Sequence, residues 1–139
     1  MMKYDDGSWH MGDAGSESHA AAHIGLYFKW CLVNDLISEE WMDDETLEED
    51  LQRVRSGDLS ATEFLWDNTS GKLTSVDLTD EGNRFTKWFY SKRYPTLLFE
   101  VADGNAYEFT EEEVDFPKLK NRMDQVFHEW RVSPPKKTW

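Results

Sequence analysis

The chain has 139 residues, 39% of them hydrophobic and 31% charged, with seven Trp, five Tyr and eight Phe to fill a core. Acidic residues outnumber basic ones 28 to 15, and the net charge of −13 disfavours DNA, RNA or an anionic membrane as partner. A single cysteine, Cys31, excludes a disulfide framework and any zinc site built from several thiolates.

The length suits one domain over 1–139. No apolar run approaches the ~20 residues that span a bilayer, and MMKYDDGSWH does not read as a signal peptide, so a cytoplasmic protein is expected. Residues 1–17, rich in Gly, Ser and Asp, read as an irregular arm packed on the domain, with Tyr4, Trp9 and Met11 as anchors. From His19 to Ile37 the sequence is apolar on nearly every face. That pattern predicts a central helix covered by its neighbours.

Thr46 with Glu49, and Ser60 with Glu63, are spaced as capping boxes. They open helices that carry Leu47, Leu51 and Val54, then Phe64, Leu65 and Trp66. The stretch TSGKLTSVD reads as a loop with room for a brief strand. Thr79 caps a helix from Asp80 to about Tyr94, which Pro95 stops. Leu97–Val101 and Ala106–Phe109 flank the turn-like ADGN, which predicts a β-hairpin. Thr110 with Glu113 repeats the capping spacing, and Pro117 suits the first turn of a last helix. Leu119, Met123, Val126, Phe127 and Trp130 make its apolar stripe. The tail 133–139 reads as flexible. The expectation is a mainly α, single compact domain of about five helices with at most a small β-hairpin.

No nucleophile elbow, phosphate loop, zinc-protease motif or EF-hand loop is present, and no catalytic residue is assigned. His19 and His23 are spaced i, i+4, with His10 and Asp13 near in sequence. Two histidines without a fixed third ligand do not define a metal site, so no metal and no cofactor are expected. His23, flanked by apolar positions, is the better candidate for a buried hydrogen-bonding residue. Cys31, mid-helix and apolar in its surroundings, reads as a core thiol.

The charge is uneven. Residues 1–70 carry 16 acidic and 4 basic side chains, whereas 71–139 carry 12 and 11. The densest run is Glu39, Glu40, Asp43, Asp44, Glu45, Glu48, Glu49 and Asp50, with Trp41 among them. A solubilising surface usually intersperses the signs, so these nine residues are the candidate partner-binding surface. A solvated helix face is the simpler reading of the same run.

Tyr4-Asp5-Asp6-Gly7-Ser8-Trp9-His10 resembles the YDD-x-SWH opening of a family of small, acidic bacterial proteins. His23-Ile24-Gly25, Tyr27-Phe28-Lys29-Trp30, Asn34, Glu63-Phe64 and Leu78-Thr79-Asp80-Glu81-Gly82-Asn83-Arg84-Phe85 extend the resemblance. Members resemble immunity proteins encoded beside secreted antibacterial toxins. The resemblance implies a non-enzymatic inhibitor whose partner is a cognate toxin with a basic surface, engaged through the acidic run. The alternative is a small-ligand binder or enzyme whose polar pocket uses Tyr4, Asp5, Asp6, Trp9, His10 and His23.

Overall fold

The glycine- and serine-rich arm acquires regular structure by pairing with a distant segment. In the computed structural model, which describes residues 1–134, strand β1 (Lys3–Asp6) pairs antiparallel with β2 (Lys72–Thr74). A 3₁₀ turn over Gly7–Trp9 follows β1, then two one-turn helices, α1 (Met11–Ala14) and α2 (Glu17–Ala20). Asp6 caps the 3₁₀ turn by accepting the Ser8 amide and hydroxyl at 2.9 and 2.7 Å. Gly7 is required there, since a Cβ would stand 2.6 Å from the Trp66 ring.

The predicted central helix is α3 (Ala22–Val33), with nine of its residues buried. It begins later than the sequence suggests, because Ala21 leaves helical geometry (φ −117°, ψ 11°) and divides α2 from α3. His19 and His23 therefore lie on different helices and do not form an i, i+4 pair. Phe28 stacks on Phe64, and Trp30 is fully buried between Phe85 and Phe127. Cys31 is buried as expected, and burial pushes its thiol pKa up.

Around α3 pack α4 (Glu45–Ser56), α5 (Ala61–Thr69), α6 (Asp80–Phe89), α7 (Tyr94–Ala102) and α8 (Phe116–Val132). Ser60 and Thr79 cap α5 and α6 as predicted. Asp44, not Thr46, caps α4, accepting the amides of Thr46 and Leu47 at 2.9 and 3.1 Å. The Thr110–Glu113 box closes a 3₁₀ turn over Glu111–Glu113, and Asp115 caps α8.

The fold is mainly helical with one small two-stranded sheet, and it carries eight α-helices among the described residues rather than about five. The extra ones are α1, α2 and α7. No hairpin forms over 95–109. Pro95 sits in the first turn of α7, where its missing N–H leaves nothing unpaired, and Leu97, Leu98 and Val101 face the core. The turn-like ADGN is the end of that helix, with Asp103 left-handed at φ +53°. The sheet is instead made by TSGKLTSVD and the arm. Residues 135–139, most of the tail read as flexible, lie outside the described residues, as does Trp139. Among the described residues no helix is long and apolar enough to cross a membrane.

The Phe28 ring is fully buried at the centre of this packing. Phe28→Ala should cost about 3–5 kcal/mol, the usual range for a buried Phe, in chemical denaturation followed by circular dichroism. A helix-dominated spectrum is expected for the parent.

Candidate functional site

A carboxylate taken from water must find donors, because burial of an unpaired charge costs several kcal/mol. Asp5 is only 7% exposed and has four such donors. Its Oδ1 accepts His10 Nε2 at 2.7 Å and the Asp6 amide at 2.8 Å. Its Oδ2 accepts the Tyr90 hydroxyl at 2.7 Å and His23 Nε2 at 3.0 Å. Burial opposes ionisation, yet the hydrogen bonds and charge of His23, with the hydrogen bonds of Tyr90 and His10, outweigh it. The Asp5 carboxyl is held well below the usual carboxylate range. Burial and the adjacent Asp5 charge push the Tyr90 phenol far up.

Each group arrives by a local rule. Lys3 faces Thr74 while Asp5 faces Leu73, so Tyr4 is an extra residue in the ladder. Such a bulge re-aims side chains, and Tyr4 and Asp5 both line the same cleft. The Tyr4 hydroxyl donates to Asn83 on α6 at 2.6 Å, and burial pushes its pKa up to about 12. The turn capped by Asp6 swings His10 back over Asp5. His23 projects from the first turn of α3, and its carbonyl accepts the Tyr94 hydroxyl at 2.7 Å. The two imidazoles meet edge to face, ring centroids 4.7 Å apart.

Tyr107 completes the cluster through a hydrogen bond between its hydroxyl and His10 Nδ1. Its backbone is left-handed, φ +70°, which costs a non-glycine residue about 1–3 kcal/mol. The far end of its segment is tied down by Glu111, which accepts the Ala61 and Thr62 amides at the start of α5. Gly25 makes room for that contact, since a Cβ there would lie 2.5 Å from Thr62 Oγ1.

The cluster forms the floor of a cleft of about 270 Å³. Pro95, Leu98, Phe99 and Ala106 supply its apolar wall, and Tyr4, Asp5, His10, His23, Tyr90 and Tyr107 its polar side. Of the residues singled out in sequence for a pocket, the structure brings together Tyr4, Asp5, His10 and His23. Asp6 instead caps the turn and pairs with Lys3 at 2.9 Å. Trp9 is 59% exposed beneath the Lys3 ammonium and does not anchor the arm. His19 bonds Ser16, and Asp13 is exposed. Tyr90 and Tyr107 were not legible, since neither carries a local motif and they stand 85 and 97 residues from Asp5 and His10.

The acidic run lies elsewhere. Glu39, Glu40, Asp43, Asp44, Glu45, Glu48 and Glu49 are exposed and Asp50 is half-buried. Among the described residues the only cation paired with the run is Arg53, 3.6 Å from Asp50. Trp41 is half-buried against Phe28 and Phe64, so it anchors the run onto the core.

A family model described as a domain of unknown function, DUF7832, matches residues 3–126, and the chain belongs to that family. No curated protein and no solved structure matches it.

The arm buries little apolar surface and is held by polar contacts from Asp5, Asp6, Tyr4 and His10. Deleting residues 1–12 should therefore lower the melting temperature by several degrees. Asp5→Ala, which strips the shared acceptor from three side chains, should cost about 2–4 kcal/mol in denaturant titrations.

Proposed function

We propose that this protein binds a small ligand in the cleft beside its docked N-terminal arm. The carrying observation is the convergence of Asp5, His10, His23, Tyr90 and Tyr107 on one side of a cavity whose other wall is apolar. Pockets with a few converging polar groups on largely hydrophobic walls are the usual form of small-molecule sites. The strained backbone of Tyr107 supports the reading, because strain persists where a constellation must be held.

Binding suits the cluster better than turnover. Asp5 is already occupied by four donors, which leaves it a weak general base. Cys31, the one thiol, is fully buried in the core with its pKa raised. The cavity volume fits a single-ring molecule with a polar head toward His10, His23 and Tyr107 and an apolar body against Leu98 and Phe99. Benzylamine, phenol and benzoate at millimolar concentration probe the sign of that head. The expected result is a saturable shift of the His10 and His23 ring signals in NMR for one of the three, with the exposed His128 unmoved. Ala106→Trp, at the half-buried rim, should abolish the shift. No movement with any probe, or equal movement of His128, would reject the cleft.

The second reading is the inhibitory one, an immunity protein that covers a basic toxin surface. What favours it is the exposed, nearly unpaired acidic run at 39–50. Opposite surfaces speed association, and salt screens the effect over about 8–10 Å. The variant with Asp43, Glu48 and Glu49 replaced by Lys should slow capture of a basic toxin domain strongly at low salt and little at high salt. Asp44 is best left in place, because loss of its cap would cost α4 about 1 kcal/mol and confuse the comparison. Full protection of toxin-exposed cells by the triple variant, with unchanged association kinetics, would place the interface elsewhere.

A further inference from the structure

We infer that Asp5, His10 and His23 form a binding site for a divalent transition-metal ion, Zn²⁺ being the best fit. The inference rests on the cleft reading only in placing the site on its floor. His10 Nε2 and His23 Nε2 point at the two oxygens of one carboxylate, at 2.7 and 3.0 Å. One ligand atom from each residue lies within 4.8 Å of the other two. Tetrahedral Zn²⁺ with bonds of about 2.0–2.2 Å sets its ligand atoms about 3.3–3.6 Å apart, so each imidazole parts from its carboxylate oxygen by a few tenths of an ångström while the two ring nitrogens settle to the same spacing from a separation of no more than 4.8 Å. Two imidazoles and one carboxylate suit Zn²⁺, Co²⁺ or Fe²⁺ rather than the all-oxygen preference of Ca²⁺ and Mg²⁺.

The surroundings of two of the three side chains, His10 and Asp5, match those of a ligand set. Metal-bound histidines are oriented by a partner on the ring's other nitrogen, and bound carboxylates by hydrogen bonds of their own. His10 Nδ1 meets the Tyr107 hydroxyl, and Asp5 is held by the Tyr90 hydroxyl and the Asp6 amide. The proton count balances without a co-reactant. In the metal-free form each imidazole donates an Nε2 proton to Asp5, while Tyr107 donates to His10 Nδ1. With the ion bound, Nε2 is free of its proton and each imidazole carries one on Nδ1, any proton in excess passing to water. The Tyr107 contact then reverses, and His10 Nδ1–H donates to the phenol oxygen. Three protein ligands leave the fourth position to water or to a ligand in the cleft. The chain's net charge of −13 raises the local concentration of cations, although the ligand geometry is what selects the site.

The test uses the full chain, stripped with a chelator and titrated separately with Zn²⁺ and Co²⁺. One equivalent of each should bind with micromolar affinity or better, Co²⁺ should show the visible absorption of a tetrahedral nitrogen–oxygen site, and Zn²⁺ should raise the melting temperature. His10→Gln and His23→Gln should each lose the Co²⁺ spectrum and the thermal shift. Tyr107→Phe should weaken binding by about tenfold or more, whereas His19→Gln and Asp13→Asn should leave it unchanged. Circular dichroism of each variant separates lost ligands from lost fold, and Tyr107→Phe preserves the ring if a histidine variant unfolds. Absence of stoichiometric binding by the parent, or equal losses in the His19 variant, would overturn the inference. The aromatic probes distinguish the two readings of the cleft. Metal binding without any probe shift rejects the small-ligand reading and keeps the metal. A probe shift on a chain that binds neither ion does the reverse.

Discussion

One buried carboxylate organises the front of this molecule. Asp5 sits on a short strand that buries little apolar area, so hydrophobic burial alone would not hold the arm in place. Its charge is kept by donors from the following backbone amide, the turn before α1, the first turn of α3 and the end of α6. Charge-assisted hydrogen bonds are roughly twice as strong as neutral ones, and four on one group offset its desolvation. The arm is ordered because it delivers the acceptor that two side chains outside it, His23 and Tyr90, need.

Those side chains hold still because the aromatic core behind them does. Tyr27, Tyr90 and Tyr94 pack as a triangle with ring centroids 4.8–5.2 Å apart. Each sends its hydroxyl to a different place. Tyr27 bonds Thr86, Tyr90 bonds Asp5, and Tyr94 bonds the His23 carbonyl. Their rings stabilise the core by area and aromatic contact, while their oxygens align the cluster on its surface. Core and site therefore share residues, and a packing change beneath Tyr90 or Tyr94 would be felt as a change in the position of Asp5 or His23. Sites supported in this way are held close to their working geometry.

The parts legible in sequence were those governed by short-range rules. Thr79 and Ser60 cap the helices that their spacing promised, and the all-round apolar composition of residues 19–37 marked the central helix, which forms over 22–33. Two readings failed for physical reasons. Leu97–Val101 has the Leu- and Phe-rich look of a strand, but Pro95 favours a helix start and Leu97, Leu98 and Val101 fit one helical face, so tertiary burial decided. Asp44 outcompeted Thr46 as a cap, an exchange of two good capping types two residues apart. The site itself was half visible. His23 and the residues around Asp5 carried the resemblance, whereas Tyr90 and Tyr107 join them only through the packing of α6 and the strained loop after α7. Hydrogen bonds across 85 or 97 residues leave no local pattern to read.

The most conspicuous acids are not the ones with the most specific geometry. Eight carboxylates crowd residues 39–50, where all but the half-buried Asp50 face water and act through a field that salt screens within about 8–10 Å. Asp5 is one acid among 28, isolated from that run, and acts through contacts of 2.7–3.0 Å. The two therefore answer to different variables. Ionic strength tunes whatever the acidic run attracts, while the Asp5 cluster depends on side-chain placement and on whether the arm is docked. Composition reports the first kind of property well, because a long-range field is a sum over charges. It cannot report the second, because burial and direction, not number, let one carboxylate gather four donors.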